Sequence, residues 1–262
     1  MEAAPDIGII RLALGFALLF IPIALSLWLR LKIVRQLFIS AGRMTAQLFL
    51  VSILLIYLFE WDNAYVNTAW VIIMIVFACG AAITNSSLRF KYFFLPVLIS
   101  YLAGAGSVLM YFIIVIVNPV YIFSAQLLVV IGGMLLGNSL HSVIVGISRF
   151  YQSLKKERKR YYYLLSLGAN QNEALLPFYR EALLASLRPF LANMATMGVV
   201  FLPGMMTGQI LGGAPPDTAI KYQIAIMLAI LASVTISVGL ALYLTSRKSF
   251  DEYGTLKQGL FL

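Results

Sequence analysis

Few residues in this chain have the types and spacing that chemistry needs. One histidine, His141, and one cysteine, Cys79, sit far apart in apolar stretches. A lone histidine rarely makes a metal site, and a hydrogen bond between helices is the simpler reading of His141. A single cysteine supports neither a disulfide framework nor a thiolate metal site. Met194, Met197, Met205 and Met206 are the one group of soft donors, and thioethers suit Cu(I) better than iron. Met194 and Met197 share a helical face whereas Met205 and Met206 diverge, so packing is favoured and no metal ligand is assigned. There is no His-Glu-x-x-His, no Gly-x-Ser-x-Gly and no aspartate pair within an apolar run, which removes the intramembrane hydrolases. Without Gly-x4-Gly-Lys-[Ser/Thr] the chain does not hydrolyse ATP itself. It reads as a non-enzyme with no cofactor of its own.

Charged and amide side chains in apolar surroundings are costlier than methionines, and so more informative. Arg43 lies about a turn inside an apolar run with Gln47 one turn deeper on the same face. Snorkelling to the headgroups and a role along a transport pathway both fit them. Lys221, four residues after Asp217, suits an ion pair at a membrane edge. Asn138, next to Gly137, suits a hydrogen bond between helices. In Leu202-Pro203-Gly204-Met205-Met206-Thr207-Gly208, Pro203 removes a backbone donor, and Gly204 and Gly208 permit unusual angles or close helix contact. A packing kink and a pathway element are equally open there.

The elements that must hold these residues are membrane helices. With 61% apolar residues, 11% charged residues and a mean hydropathy of +0.93, a water-soluble globule is excluded. Crossing the hydrocarbon takes about 20 apolar residues. The runs 7–29, 38–59, 68–87, 93–117, 122–147, 189–211 and 219–245 qualify, and none shows the alternation of barrel strands. An all-α integral membrane protein with about seven transmembrane helices follows, a single membrane domain over 1–262. Of the 19 Lys and Arg, all but Arg11 and Lys221 fall on one side of that arrangement. The positive-inside rule then puts the N-terminus outside and the C-terminus inside. Anionic lipid accounts for the net charge of +9, so no nucleic-acid partner is implied. The expected location is the plasma membrane, crossed several times.

The stretch 149–188 interrupts this pattern as a cytoplasmic elbow. It opens as a basic continuation of the fifth run, and Tyr161-Tyr162-Tyr163 suits the interface. Gly168 breaks the helix, and Asn170 with Glu173 three residues later reads as a capping box opening a short new one. Leu175, Leu176, Phe178, Tyr179 and Leu183 give that helix an apolar face; Arg180 and Glu181 give it a polar one. Such a helix can lie on lipid or fill a partner's groove.

Here the residues resemble a family. Ser166-Leu167-Gly168-Ala169, then Ala174 and an apolar helix, is similar to the coupling-helix region of ABC transporter permeases. Gly42-Arg43-x-x-x-Gln47-Leu48, Gly133-Met134-x-x-Gly137-Asn138, the Leu202-Pro203-Gly204 segment and Ala219-Ile220-Lys221-Tyr222 narrow the resemblance to the Fet-type permeases. That resemblance implies a homodimeric permease paired with a separate ATPase subunit that binds ATP and Mg2+. Gly168 and Ala169 would form the turn, and Asn170, Glu173, Leu175, Leu176, Phe178 and Arg180 the docking surface. Arg43, Gln47, Asn138, Pro203, Gly204, Met205, Met206 and Lys221 stand as pathway or gating candidates on their own chemistry, and the resemblance implies export of iron or another metal. The sequence departs from the family where a charged pair is replaced by Ala192 and Ala195, and where a glutamate ahead of the turn is Tyr163. From another class, a secondary transporter or channel needs intramembrane ionisable groups, of which Arg43 and His141 are nearly all this chain offers. A membrane scaffold whose elbow binds a partner other than an ATPase is the third reading.

Overall fold

The computed structural model describes residues 8–86, 88–251 and 254–257. Ile7 and Ser87, at the ends of two expected spans, lie outside them. The described chain is helical, with two isolated bridges, Met197 with Phe201 and Phe250 with Leu256, in place of any strand. Six helices are long and apolar enough to cross a membrane: α1 (Ile9–Trp28), α2 (Val34–Trp61), α3 (Ala64–Asn85), α4 (Phe90–Val117), α5 (Ala125–Lys156) and, last in the chain, α9 (Pro216–Ser249). Three more join α5 to α9: α6 (Arg158–Ser166), α7 (Gln171–Thr196) and α8 (Gly204–Leu211).

The expected span 189–211 is therefore corrected. α7 stops at Thr196, the chain turns through 197–203, and α8 begins afresh at Gly204. Pro203 has no N–H to continue a helix and steers the residue before it away from helical angles. Gly198, at φ +85°, reverses the chain, and its N–H donates to the Phe201 carbonyl at 3.0 Å. Gly204 and Gly208 take no left-handed angle, and a Cβ on either would meet nothing within 4 Å, so neither serves close packing.

The passes alternate all the same. Ser139 bonds Ser233 at 2.8 Å and Tyr151 bonds Ser249 at 2.6 Å, so α5 and α9 run parallel. Phe150 stacks on Tyr179 with ring centroids 5.0 Å apart, and a Cβ on Gly146 would sit 2.7 Å from the Ser186 hydroxyl, so α7 runs against both. Between α5 and α9 the chain must return along the bundle. It does so through α7, whose 26 residues span about 39 Å, followed by the turn and α8. The return pass begins at Gln171, inside the charged stretch, and not at 189.

Helices α3, α4, α5, α7 and α9 share one core, with Phe93, Tyr101, Phe112, Phe150 and Phe178 fully enclosed. Where backbones come closest the residues are small. Gly104 lies in a widened π-type turn of α4, and a Cβ there would stand 2.8 Å from the Ser237 backbone nitrogen of α9. The α2–α3 hairpin is tied to this core at one end: the Asp62 carboxylate accepts from the Ala125 N–H at 2.7 Å and from the Asn67 amide at 3.0 Å. Leu54, Leu55 and Leu58 of α2 pack there against Ala125 and Val129.

Candidate functional site

The elbow is built by backbone chemistry that the sequence prescribes. Lys155 and Lys156 close α5, where cations suit the negative end of the helix dipole. α6 ends in a Schellman motif: the Gly168 N–H donates to Leu165 O at 3.0 Å and the Ala169 N–H to Leu164 O at 3.2 Å. That motif needs a left-handed residue, and Gly168 supplies it at φ +88°. Asn170 and Glu173 then close the capping box from both sides, at 3.0 and 2.9 Å. Four otherwise unpaired backbone groups are satisfied across six residues, so the turn is rigid. α7 is not the expected short helix; it runs on as the return pass, through Pro177 and Pro189.

The face that this elbow offers differs from the expected one. Leu175 and Phe178 are buried in the chain's own core, 1% exposed each, and are not available to a partner. They point inward because α7 packs along α5, and burying its apolar stripe there stabilises the bundle. Tyr161 is also withdrawn from the interface. Its ring meets Phe250 at 5.5 Å and its hydroxyl donates to Gly254 O at 2.8 Å, clamping the C-terminal segment to α6. Burial, aided by Tyr162 and Asp251 nearby, pushes the Tyr161 phenol up to about 12. What remains exposed at the tip is Tyr163 (62%), Leu167 (65%) and Leu176 (44%), with Gly168, Asn170, Glu173 and Arg180 around them and Ala169 half-buried. Tyr163 and Leu167 lie outside the expected docking surface; their spacing of four on a polar helix is the sequence signal for them.

A groove of about 480 Å3 runs up from the elbow between α5 and α7. Arg149, Ser148 and Gln152 line it from α5, Glu181 and Arg188 from α7, and Arg149 pairs with Glu181 at 2.5 Å. The ends of the basic stretch, 149 and 188, thus meet on the wall of one groove. The helical spacing of Glu181, Leu184, Ala185 and Arg188 was legible; their meeting with α5 was not.

The pathway candidates do not gather in one place. Arg43 lies on an open groove between α2 and α3, beside Gly80, Thr84 and Asn85, and both it and Gln47 are exposed. Asn138 does not bridge helices: it is exposed and donates to Met134 O of its own helix at 2.8 Å. His141 is exposed too, so the expected hydrogen bond between helices is not made among the described residues. Lys221 pairs with Asp217 at 3.6 Å on the surface, worth about 0.3–0.5 kcal/mol. Pro203 caps α8, its carbonyl accepting from the Thr207 N–H at 3.0 Å, next to Gly204. Met206 is buried, and Met194, Met197 and Met205 pack against the main core, as packing residues do. Among the described residues no three of His, Cys, Asp and Glu come together to hold a metal ion.

With this geometry in hand, comparison with known proteins is specific. Residues 9–250 match the model of a family described as "Uncharacterised protein family (UPF0014)". The chain is 32% identical over 243 residues to the "Probable iron export permease protein FetB" of Escherichia coli (strain K12), covering 92% of this chain and 91% of that protein. It is 33% identical over 251 residues to the "UPF0014 membrane protein slr1647" of Synechocystis, covering 96% and 95%. It is 28% identical over 258 residues to "Protein ALUMINUM SENSITIVE 3" of Arabidopsis thaliana, covering 97% and 92%. No solved structure matches.

Proposed function

Since the chain belongs to the UPF0014 family of membrane proteins, we propose that it is the membrane-spanning subunit of an ABC transporter, working as a homodimer with a separate ATPase. The observation that carries this reading is the elbow. Its Schellman turn and capping box hold Leu167 and Leu176 outward on a rigid support, at the same end of the bundle as most of the cations. The positive-inside rule makes that end cytoplasmic, which leaves the N-terminus outside.

A short apolar surface on a rigid helical support is what a soluble partner's groove takes up. Closure of an ATPase pair would push on the start of α7. Because α7 runs as one helix through Pro177 and Pro189 to Thr196, that push can pass along it to the turn at 197–203 and α8. ATP and Mg2+ binding, and hydrolysis, belong to the partner. The relative named for iron export supports iron or another metal as the cargo, moved outward.

The test is affinity purification of the tagged chain from its native membranes. A Walker-motif ATPase should accompany the unaltered chain and be lost from Leu167→Asp and Leu176→Asp. Recovery of the chain without an ATPase, under conditions that keep a known ABC complex intact, would overturn the reading.

A further inference from the structure

The outward surface of this bundle is of two kinds. On α3, α4 and α9 it is made of residues such as Ile72, Phe77, Leu95, Ile99, Ile224 and Leu228, all exposed and all suited to lipid. On α5 and α7 the exposed Leu184 and Leu191 are joined by Gly137, Asn138, His141, Arg188, Ala192 and Ala195, also exposed. The antiparallel register set by Gly146 against Ser186, and by Arg149 against Glu181, brings Ala192 level with Asn138. Asn138 lies about 20 Å along α5 from its start, within a hydrocarbon layer about 30 Å thick.

Lipid is the wrong neighbour for the second surface. Asn138 spends its amide on its own helix, leaving its carbonyl oxygen, and the His141 ring, with no protein partner among the described residues. An unsatisfied polar group in hydrocarbon costs several kcal/mol. Water can satisfy it only inside walls, and on the outside of one bundle a further protein must supply them. Gly137, Ala192 and Ala195 let backbones approach closely, which is how helices associate in lipid. On the same face Arg149 pairs with Glu181 within one copy, which leaves Arg188 without a carboxylate partner among the described residues, and across a two-fold axis the half-exposed Glu181 of the second copy can meet it.

We propose that the α5–α7 face is where a second copy of this chain packs, about a two-fold axis along the membrane normal. This rests on the permease reading and deepens it, because the groove lined by Arg149, Gln152 and Arg188 then becomes an internal passage that opens beside the elbow. The face also includes Ala192 and Ala195, so small side chains there serve contact between copies.

Cysteine crosslinking in native membranes tests it. Gly137→Cys, Ala192→Cys, Ile72→Cys and Leu228→Cys are made singly in a Cys79→Ser background and treated with a short bifunctional maleimide. Size-exclusion profiles matching the unaltered chain show that each variant folds. Covalent dimers should form at 137 and 192 and be at background level at 72 and 228. Dimers at 72 or 228 with none at 137 and 192 would overturn this face while leaving a dimeric permease standing. A monomer in lipid nanodiscs, with no crosslink at any position, would remove both.

Discussion

Helices α1 and α2 are as apolar as the rest of the chain, yet only 6% of the most apolar stretch of each is buried, against 50% in α5. Apolarity therefore puts a helix in the membrane without putting it in the bundle. Lipid tails are as apolar as leucine, so aliphatic side chains gain little by leaving them. The core helices instead carry glycine and serine where they touch: Gly104 against Ser237, Gly146 against Ser186, Ser139 bonded to Ser233. On α1 and α2, Gly15 and Gly42 have nothing within 4 Å of a Cβ position, and Ser26 is the one buried residue of α1. Close approach separates core from periphery in this protein.

Filling the close contacts should separate core from periphery most forcefully. Gly104→Leu should prevent recovery of a monodisperse protein in mild detergent, because its Cβ already meets the Ser237 backbone at 2.8 Å, and overpacking costs about 1–3 kcal/mol or more. Gly146→Leu should behave alike, with its Cβ 2.9 Å from Val238. Gly15→Leu and Gly42→Leu should leave the thermal midpoint unchanged or slightly raised, since leucine is the better helix former by about 1 kcal/mol. Equal tolerance at all four sites would show that close packing does not organise the bundle.

The two faces of α7 give a sharper version. Phe178→Asp should unfold the bundle, since an unpaired buried charge costs several kcal/mol. Leu176→Asp, two residues away and exposed, should leave fluorescence-detected size exclusion unaltered and remove ATPase co-purification. Next in size, Ser139→Ala should lower stability by about 1 kcal/mol, the ordinary worth of one hydrogen bond, partly offset by Ser233→Ala in the double variant.

The smallest effect belongs to the C-terminal clamp. With the Tyr161 phenol raised to about 12 in the folded protein against an ordinary 10, its contribution is complete below pH 10 and lost as the pH rises through about 12. Limited proteolysis of the C-terminal segment should accelerate across that window. In Tyr161→Phe it should already be faster at neutral pH and lose this part of its pH dependence.

Much of the molecule was legible in the chain. The membrane class, the helical character, the turn at Gly168 and the capping box of Asn170 and Glu173 are local properties, fixed by composition, by the conformational range of glycine and by hydrogen bonds within a few residues. Tertiary structure decided what depends on distant partners. Leu175 and Phe178 looked outward on a helical wheel until α5 lay against them, and Arg149 and Glu181 were unrelated charges until α7 ran back along α5. Hydropathy also could not say that 189–211 is two helices, nor that its pass begins at Gln171. A window average counts apolar atoms, whereas the chain's path is set by which backbones can touch, and that depends on residues far apart in sequence.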